Sequence, residues 1–405
     1  MKERIVITGL GVVSSIGVGK DEFWQNLLQG KSGISEVESF DTTHHFTHCA
    51  GEIKNFDPAK GLDSRYSKLV GRASLLGIAA STLAVKDSGL NLKEIRNKNV
   101  AVCIGTTGGE AQEIESIDAS WVKSGIGSIK NRTVIQYPVS NMPSNIASAL
   151  KLKGLTRIFT TACASGNYGI GYAYDLLQLR KADIVLAGGS DAFSYSAFTG
   201  FNQVGAVAPE MCQPFDKNRK GMIPAEGAGI LVMERLDDAL KRGASIYAEI
   251  LGYGLSCDAF HITQPDVDGV SACMRNALAQ ADIFENDVDY ICAHGTGTPH
   301  NDKTETRAIY NVFKDRAKTI PVSSIKSMLG HTMGAASAIE TISCALTVST
   351  NMIPPTINYK TPDPECDIDC VPNKARKQEV NIALNNAFAF GGNNSCLVIK
   401  KYERG

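Results

Sequence analysis

What this 405-residue chain lacks narrows its function first. Its net charge is only −1, so no global positive field exists to hold nucleic acid. Eleven cysteines are present, yet none is spaced C-x-x-C. The closest pair, Cys366 and Cys370, brackets Asp-Ile-Asp with no nearby histidine, which argues against a zinc site. Scattered, odd-numbered thiols suit a reduced, cytoplasmic protein. No stretch reads as a membrane span, because the long uncharged segment 341–359 contains Pro354, Pro355 and several polar residues. The uncharged run 5–19 follows Lys2 and Arg4 as in a signal peptide. Its four glycines and lack of a small-residue cleavage site favour a buried strand and turn instead. Nucleotide-binding loops are also missing. After Gly9-x-Gly11 the third glycine of a dinucleotide fingerprint would fall at 14, which is Ser14, and no phosphate loop occurs.

What is present is a regular alternation. The composition is 43% hydrophobic and 20% charged, that of a soluble globular chain. Apolar runs at 4–8, 100–104, 158–161, 184–187, 248–251, 290–293 and 382–384 predict strands. Amphipathic segments at 66–88, 167–180, 269–281, 303–313 and 334–348 predict helices. This is the pattern of an α/β fold with buried, largely parallel sheets. A weak repeat divides the chain. Ile7-Thr8-Gly9-Leu10-Gly11-Val12 is similar to Ile250-Leu251-Gly252-Tyr253-Gly254-Leu255, each read as a strand ending in a Gly-x-Gly turn. Later in each half a strand enters a small-residue loop, at 158–166 and at 382–392. Two halves, 1–250 and 251–405, would then place two equivalent loops at one centre.

Three residues stand out for chemistry. Cys163 lies in Thr-Ala-Cys-Ala-Ser-Gly between a strand and a helix. Small neighbours admit a substrate carbonyl, and the helix N-terminus favours thiolate. His294 lies in His-Gly-Thr-Gly-Thr, followed by Asp302 and Glu305. His331 lies in Lys-Ser-Met-Leu-Gly-His ahead of a helix. Each alone has an ordinary structural reading. Together they favour catalysis over metal binding, because no carboxylate–histidine cluster of short spacing accompanies them.

Those segments, with Phe388-Ala389-Phe390-Gly391-Gly392, resemble the ketoacyl-acyl-carrier-protein synthases of the thiolase superfamily, in particular the synthase II branch and the type II polyketide ketosynthases. The resemblance covers essentially the whole chain. It implies a fold of duplicated βα halves in five αβαβα layers. It implies that Cys163 takes an acyl chain from a carrier protein. The backbone amides of Cys163 and Phe390 would form the oxyanion hole, and His294 and His331 would stabilise the enolate formed when malonyl carrier protein loses carbon dioxide. Thr296 and Thr298 match positions that bind the pantetheine arm, Phe388 to Phe390 match the gate, and Gly108 and Met222 match the acyl pocket. Lys326 and Glu305 are expected to form a buried ion pair behind the histidines. No cofactor or metal is implied, since the phosphopantetheine arm arrives on the carrier protein. Arg65, Lys68 and Arg72, with Lys130 and Arg132, are candidates for docking that acidic partner. The family forms dimers, so a homodimer or a heterodimer with a chain-length-factor-like paralogue is expected. Two histidines, where priming synthases have His and Asn, imply chain elongation.

The chain departs from the housekeeping pattern at several places. Asn167 and Tyr168 follow the cysteine motif where a histidine is common. Ala389 replaces the glycine between the two gate phenylalanines, which suggests an altered resting loop. Cys292 replaces an asparagine, against the monovalent-cation site some relatives carry near Glu340. Met222 replaces an aromatic beside the malonyl carboxylate. These changes favour polyketide or polyene assembly over housekeeping fatty acids.

Overall fold

The computed structural model describes residues 2–403, without the side chains of Ser64 and Arg65. Ten strands carry the architecture: β1 (Ile5–Ser14), β2 (Val100–Gly105), β3 (Thr156–Phe159), β4 (Ile184–Asp191), β5 (Gly227–Arg235), β6 (Ala248–Cys257), β7 (Tyr290–Cys292), β8 (Val322–Ser323), β9 (Ile382–Phe388) and β10 (Asn393–Lys401). The main helices are α1 (Arg72–Asp87), α2 (Ala111–Ser124), α3 (Asn141–Leu150), α4 (Ser165–Gln178), α5 (Tyr195–Gln203), α6 (Val267–Ala281), α7 (Pro299–Phe313) and α8 (Ala336–Thr350).

The strand order is β3-β2-β4-β5-β1 in one half and β8-β7-β9-β10-β6 in the other. Both read third, second, fourth, fifth, first. Only the fifth strand of each half runs against its neighbours. The two first strands join antiparallel where Ile5 faces Ile250 and Ile7 faces Ala248. Helices α1 and α3 cover the outer face of the first sheet, and α6 and α7 flank the second. Helices α4 and α8 lie between the sheets and touch both, completing five layers. Such helices must be apolar all round, and α8 is buried from Ala336 to Val348.

The repeat is real, but two of its details change. Gly9-x-Gly11 and Gly252-x-Gly254 are not turns; both lie inside the first strand of their half. A Cβ on Gly11 would sit 1.9 Å from the Ala80 carbonyl oxygen of α1. One on Gly254 would sit 2.2 Å from the Cys273 carbonyl oxygen of α6. Glycine is required there because a helix backbone presses on the strand. The loops judged equivalent are not so either, since Cys163 follows a third strand whereas Phe390 follows a fourth. The counterpart of the Cys163 turn is the turn before α8. Ala162 and Met333 both adopt left-handed φ, 48° and 52°, three residues before their helices begin. That conformation costs a non-glycine residue about 1–3 kcal/mol.

Two boundaries also shift. The division expected at 250 falls inside β6, and the crossing between sheets is the segment 236–247. The helix expected over 66–88 is broken, with a short turn at Ser64–Ser67 and α1 starting after Gly71.

Candidate active site

Three loops converge where strands of both halves end. The turn between β3 and α4 delivers Cys163. The loop after β7 delivers His294 and turns at Gly295 and Gly297, both at positive φ. Glu305 of α7 fixes it by accepting the backbone N–H groups of His294 (2.9 Å) and Gly295 (2.8 Å). Asp302 accepts the N–H groups of Gly297 (3.2 Å) and Phe215 (2.8 Å). The segment after β8 delivers His331, whose backbone N–H donates to the Ile223 carbonyl (2.7 Å).

The side chains meet closely. His331 Nε2 lies 3.1 Å from Cys163 Sγ, and the His294 and His331 rings stand edge to face at 5.6 Å. The opposite ring nitrogens define the tautomers. The Met333 N–H donates to His331 Nδ1 (3.1 Å), and the Lys326 ammonium donates to His294 Nδ1 (3.4 Å). A nitrogen that accepts carries no proton, so each neutral imidazole holds its proton on Nε2. Burial, then the Lys326 charge, keep both histidines well below their ordinary value; for His294 the second imidazole adds to this. Both are therefore neutral Nε2–H donors at physiological pH. The same logic argues against a metal. One atom each of Cys163, His294 and His331 lies within 4.8 Å of the others, but a protonated Nε2 has no lone pair to give.

Cys163 differs from the thiolate expected. Burial pushes its thiol up to about 11, against the lowering effects of Lys326 and of the backbone N–H groups of Cys163 and Phe390. The unliganded protein therefore holds a neutral thiol. Alkylation of Cys163 by iodoacetamide should be slow at pH 7 and rise about tenfold per pH unit to pH 10. A plateau below pH 8 would contradict this protonation state.

The cavity above Cys163 is lined by Met222, Thr296, Thr298, Phe388, Ala389 and Phe390, together with both histidines. The description "Beta-ketoacyl synthase, N-terminal domain" matches residues 2–239, and "Beta-ketoacyl synthase, C-terminal domain" matches 247–360. The chain belongs to the beta-ketoacyl synthase family. Its similarity to individual members extends over the full length. The 3-oxoacyl-[acyl-carrier-protein] synthase 2 of Coxiella burnetii is 41% identical over 410 residues, 99% of each chain. The ishigamide ketosynthase/chain length factor structure shares 41% identity at TM-score 0.97, over 100% of both chains. A type II polyketide ketosynthase solved with its acyl-carrier protein shares 32% at TM-score 0.91, again over 100% of both. The chain is thus a ketosynthase-family enzyme of the acyltransferase type, with the thiolase-like fold.

Not every residue singled out from the family pattern lies where expected. Lys326 pairs with Glu340 of α8, not with Glu305. Glu305 instead holds the His294 loop and receives Asn386 Nδ2 at 3.3 Å. Burial pushes Glu305 up to about 7, against those N–H donors. Burial opposes the charge on Lys326, but Glu340 outweighs it and holds the ammonium protonated; losing either member would cost about 3–5 kcal/mol. Gly108 does not line the cavity. Its N–H donates to Asp191 (2.9 Å), which also accepts Thr107 N–H and Gly334 N–H. Asp191 thus ties the β2 loop to the His331 segment, a role with no local sequence signal. Ala389 sits at φ −100°, ψ 154°, open to any residue, and positive φ falls on Gly391 and Gly392. Alanine therefore costs nothing at rest, and Ala389→Gly should lower stability by at most about 1 kcal/mol in denaturant unfolding.

Of the docking candidates, Lys68, Lys130 and Arg132 are exposed. Arg72 is not free, since it makes a two-pronged bond to the buried Glu226. The Arg65 side chain lies outside the described residues. Phe201, Thr263, Pro265 and Asn301 also line the cavity. Only Asn301, beside Asp302, lay near a motif.

Proposed function

We propose that the chain is an elongating ketosynthase that joins a malonyl unit to an acyl chain held on Cys163, in type II polyketide or polyene assembly. The observation that carries the chemistry is the pair of Nε2–H donors facing one sulfur. Cys163 attacks a carrier-bound thioester, and its proton leaves on the departing pantetheine thiol. The N–H groups of Cys163 and Phe390 receive the transient oxyanion. The pantetheine arm of malonyl carrier protein then lies against Thr296 and Thr298, whose hydroxyls hydrogen-bond each other at 2.9 Å. Its C–C bond breaks, carbon dioxide departs, and the electron pair remains as an enolate whose oxygen accepts from His294 and His331. The enolate carbon attacks the Cys163 thioester, and the released sulfur takes a proton. The phosphopantetheine arms arrive on the carrier, so the enzyme needs no resident cofactor or metal.

A cysteine hydrolase would need a histidine base oriented through Nδ1 by an acceptor. Here both Nδ1 atoms face donors. A non-catalytic partner subunit would not need Cys163 and both histidines in register. The polyketide reading draws on the type II polyketide ketosynthase structure and on the ketosynthase/chain length factor structure. The synthase 2 relatives favour fatty-acid elongation as the second reading. The two are separated by presenting unsaturated and saturated acyl carriers in parallel.

The protein acts as a dimer. Helix α2 buries no residue in the chain, and Trp121, Val122, Ile126 and Ile135 are more than half exposed. Edge strand β3 is open on one side. Such an apolar face with a free edge suits a second ketosynthase-like subunit, either an identical copy or a chain-length-factor-like paralogue. Lys68, Lys130 and Arg132 are left to attract the acidic carrier protein. No helix among the described residues is long and apolar enough to cross a membrane. With all eleven cysteines free, the reading is of a cytoplasmic enzyme. Mixing the chain with malonyl and acyl carrier proteins should yield a 3-oxoacyl carrier and one carbon dioxide per condensation; hydrolysis of the acyl carrier instead would overturn the proposal.

A further inference from the structure

The two N–H groups assigned above to the oxyanion, those of Cys163 and Phe390, come from different halves of the fold. Cys163 N lies just ahead of α4, and Phe390 N lies just past β9. Their separation decides whether an oxyanion fits between them, so something must hold α4 and β9 in fixed register. The apolar contacts there are small: Cys163 and Ala164 pack on Ala387 and Ala389. Alanine contacts carry little directional preference.

The directional bonds lie one layer deeper. Asn385, on the same face of β9 as Ala387, shares the two protons of its Nδ2 among Asn167 Oδ1 (3.1 Å), the Ser337 carbonyl (2.8 Å) and Thr341 Oγ1 (2.8 Å). Asn167 Nδ2 donates back to the Asn385 carbonyl (3.3 Å), and Asn167 N–H donates to Ser337 Oγ (3.0 Å). All four residues are fully buried. The Ser337 carbonyl can only accept, so the Asn385 amide cannot flip. That leaves Asn385 Oδ1 buried without a partner among the described residues, at a cost of about 1–3 kcal/mol. A buried amide retained half-satisfied points to a requirement beyond packing.

We propose that Asn167 and Asn385 are positioning residues that set the oxyanion hole, by locking the nucleophile helix to the gate strand through Ser337 and Thr341 of α8. The inference rests on the ketosynthase reading above. It predicts a split between half-reactions. Acyl transfer to Cys163 uses the oxyanion hole, whereas primer-free decarboxylation of malonyl carrier protein uses the histidines.

The test compares Asn167→Ala, Asn385→Ala, the double variant and the isosteric, milder Thr341→Val with the unsubstituted chain. Octanoyl carrier protein is the acyl donor, and circular dichroism and melting confirm folding. Acyl transfer at saturating donor should fall about 10–100-fold in the asparagine variants and about 3–10-fold in Thr341→Val. KM and primer-free carbon dioxide release should stay within about threefold. The double variant should be no slower than the slower single, because the pair acts as one unit. Equal loss of both half-reactions, or acyl transfer within threefold of the unsubstituted chain, would overturn the assignment. If the unsubstituted chain shows neither half-reaction, the ketosynthase reading falls and takes this inference with it.

Discussion

Cys163→Ala should abolish condensation while the protein still releases carbon dioxide from malonyl carrier protein. Condensation requires a covalent acyl-enzyme, and no other thiol can supply it. Of the remaining ten cysteines, none lines the cavity, and burial pushes those deepest in the core far up. The loss should be on the order of 10⁴-fold or more, as for other enzymes deprived of their nucleophile. Decarboxylation needs only donors at the nascent enolate oxygen. Those donors are held from behind by Lys326 and the Met333 N–H, neither of which depends on the sulfur. Release of carbon dioxide by the variant, quantified from carboxyl-labelled malonyl carrier protein, should therefore stay within about tenfold of the parent.

The complementary result is expected at the histidines. His294→Ala and His331→Ala should each slow carbon dioxide release by about 10²–10³-fold, the cost of removing one preorganised donor from a developing oxyanion. Both imidazoles lie well below their ordinary value, so the donors are present throughout pH 6.5–8.5 and their titration should put no step in the rate there. The stability sign follows. A histidine with a depressed value binds its proton in the unfolded chain first, so stability attributable to these two is full above about pH 6.5 and declines as pH falls through that point. Glu305, raised to about 7, acts oppositely, favouring the folded state at low pH and losing that contribution as pH rises from about 4.5 to 7. A decarboxylation rate that falls as pH rises through 6.5–8.5, in step with deprotonation of one histidine, would show a cationic donor instead of a neutral one.

The site was legible wherever chemistry left a local mark. Cys163 among small residues, and two histidines in glycine-bearing loops after strands, can be read from a few neighbours each. The topology was half legible. The Ile7 and Ile250 segments betrayed the first strand of each half, because close helix packing demands glycine in both. The true counterpart of the Cys163 turn was hidden, since Thr-Ala-Cys-Ala-Ser and Thr-Met-Gly-Ala-Ala share a backbone shape but few side chains. β5 is buried at every position and offers no alternation by which to find it. Partner choice was the least legible. Lys326 selects Glu340 over Glu305, Arg72 is spent on Glu226 154 residues away, and Asn167 meets Asn385 across 218 positions. Each follows from packing between layers, which spacing along one chain does not encode.

The central claim is that one sulfur carries the acyl chain while two neutral imidazoles generate the nucleophile that removes it. Mass spectrometry of the Cys163 peptide tests it most directly, after incubation with an acyl carrier protein and again after malonyl carrier protein is added. The acyl mass should appear on Cys163 in the first sample. In the second it should vanish with release of one equivalent of carbon dioxide and formation of a 3-oxoacyl carrier. An unmodified Cys163 peptide in the first sample, or an acyl group lost in the second without carbon dioxide, would contradict it.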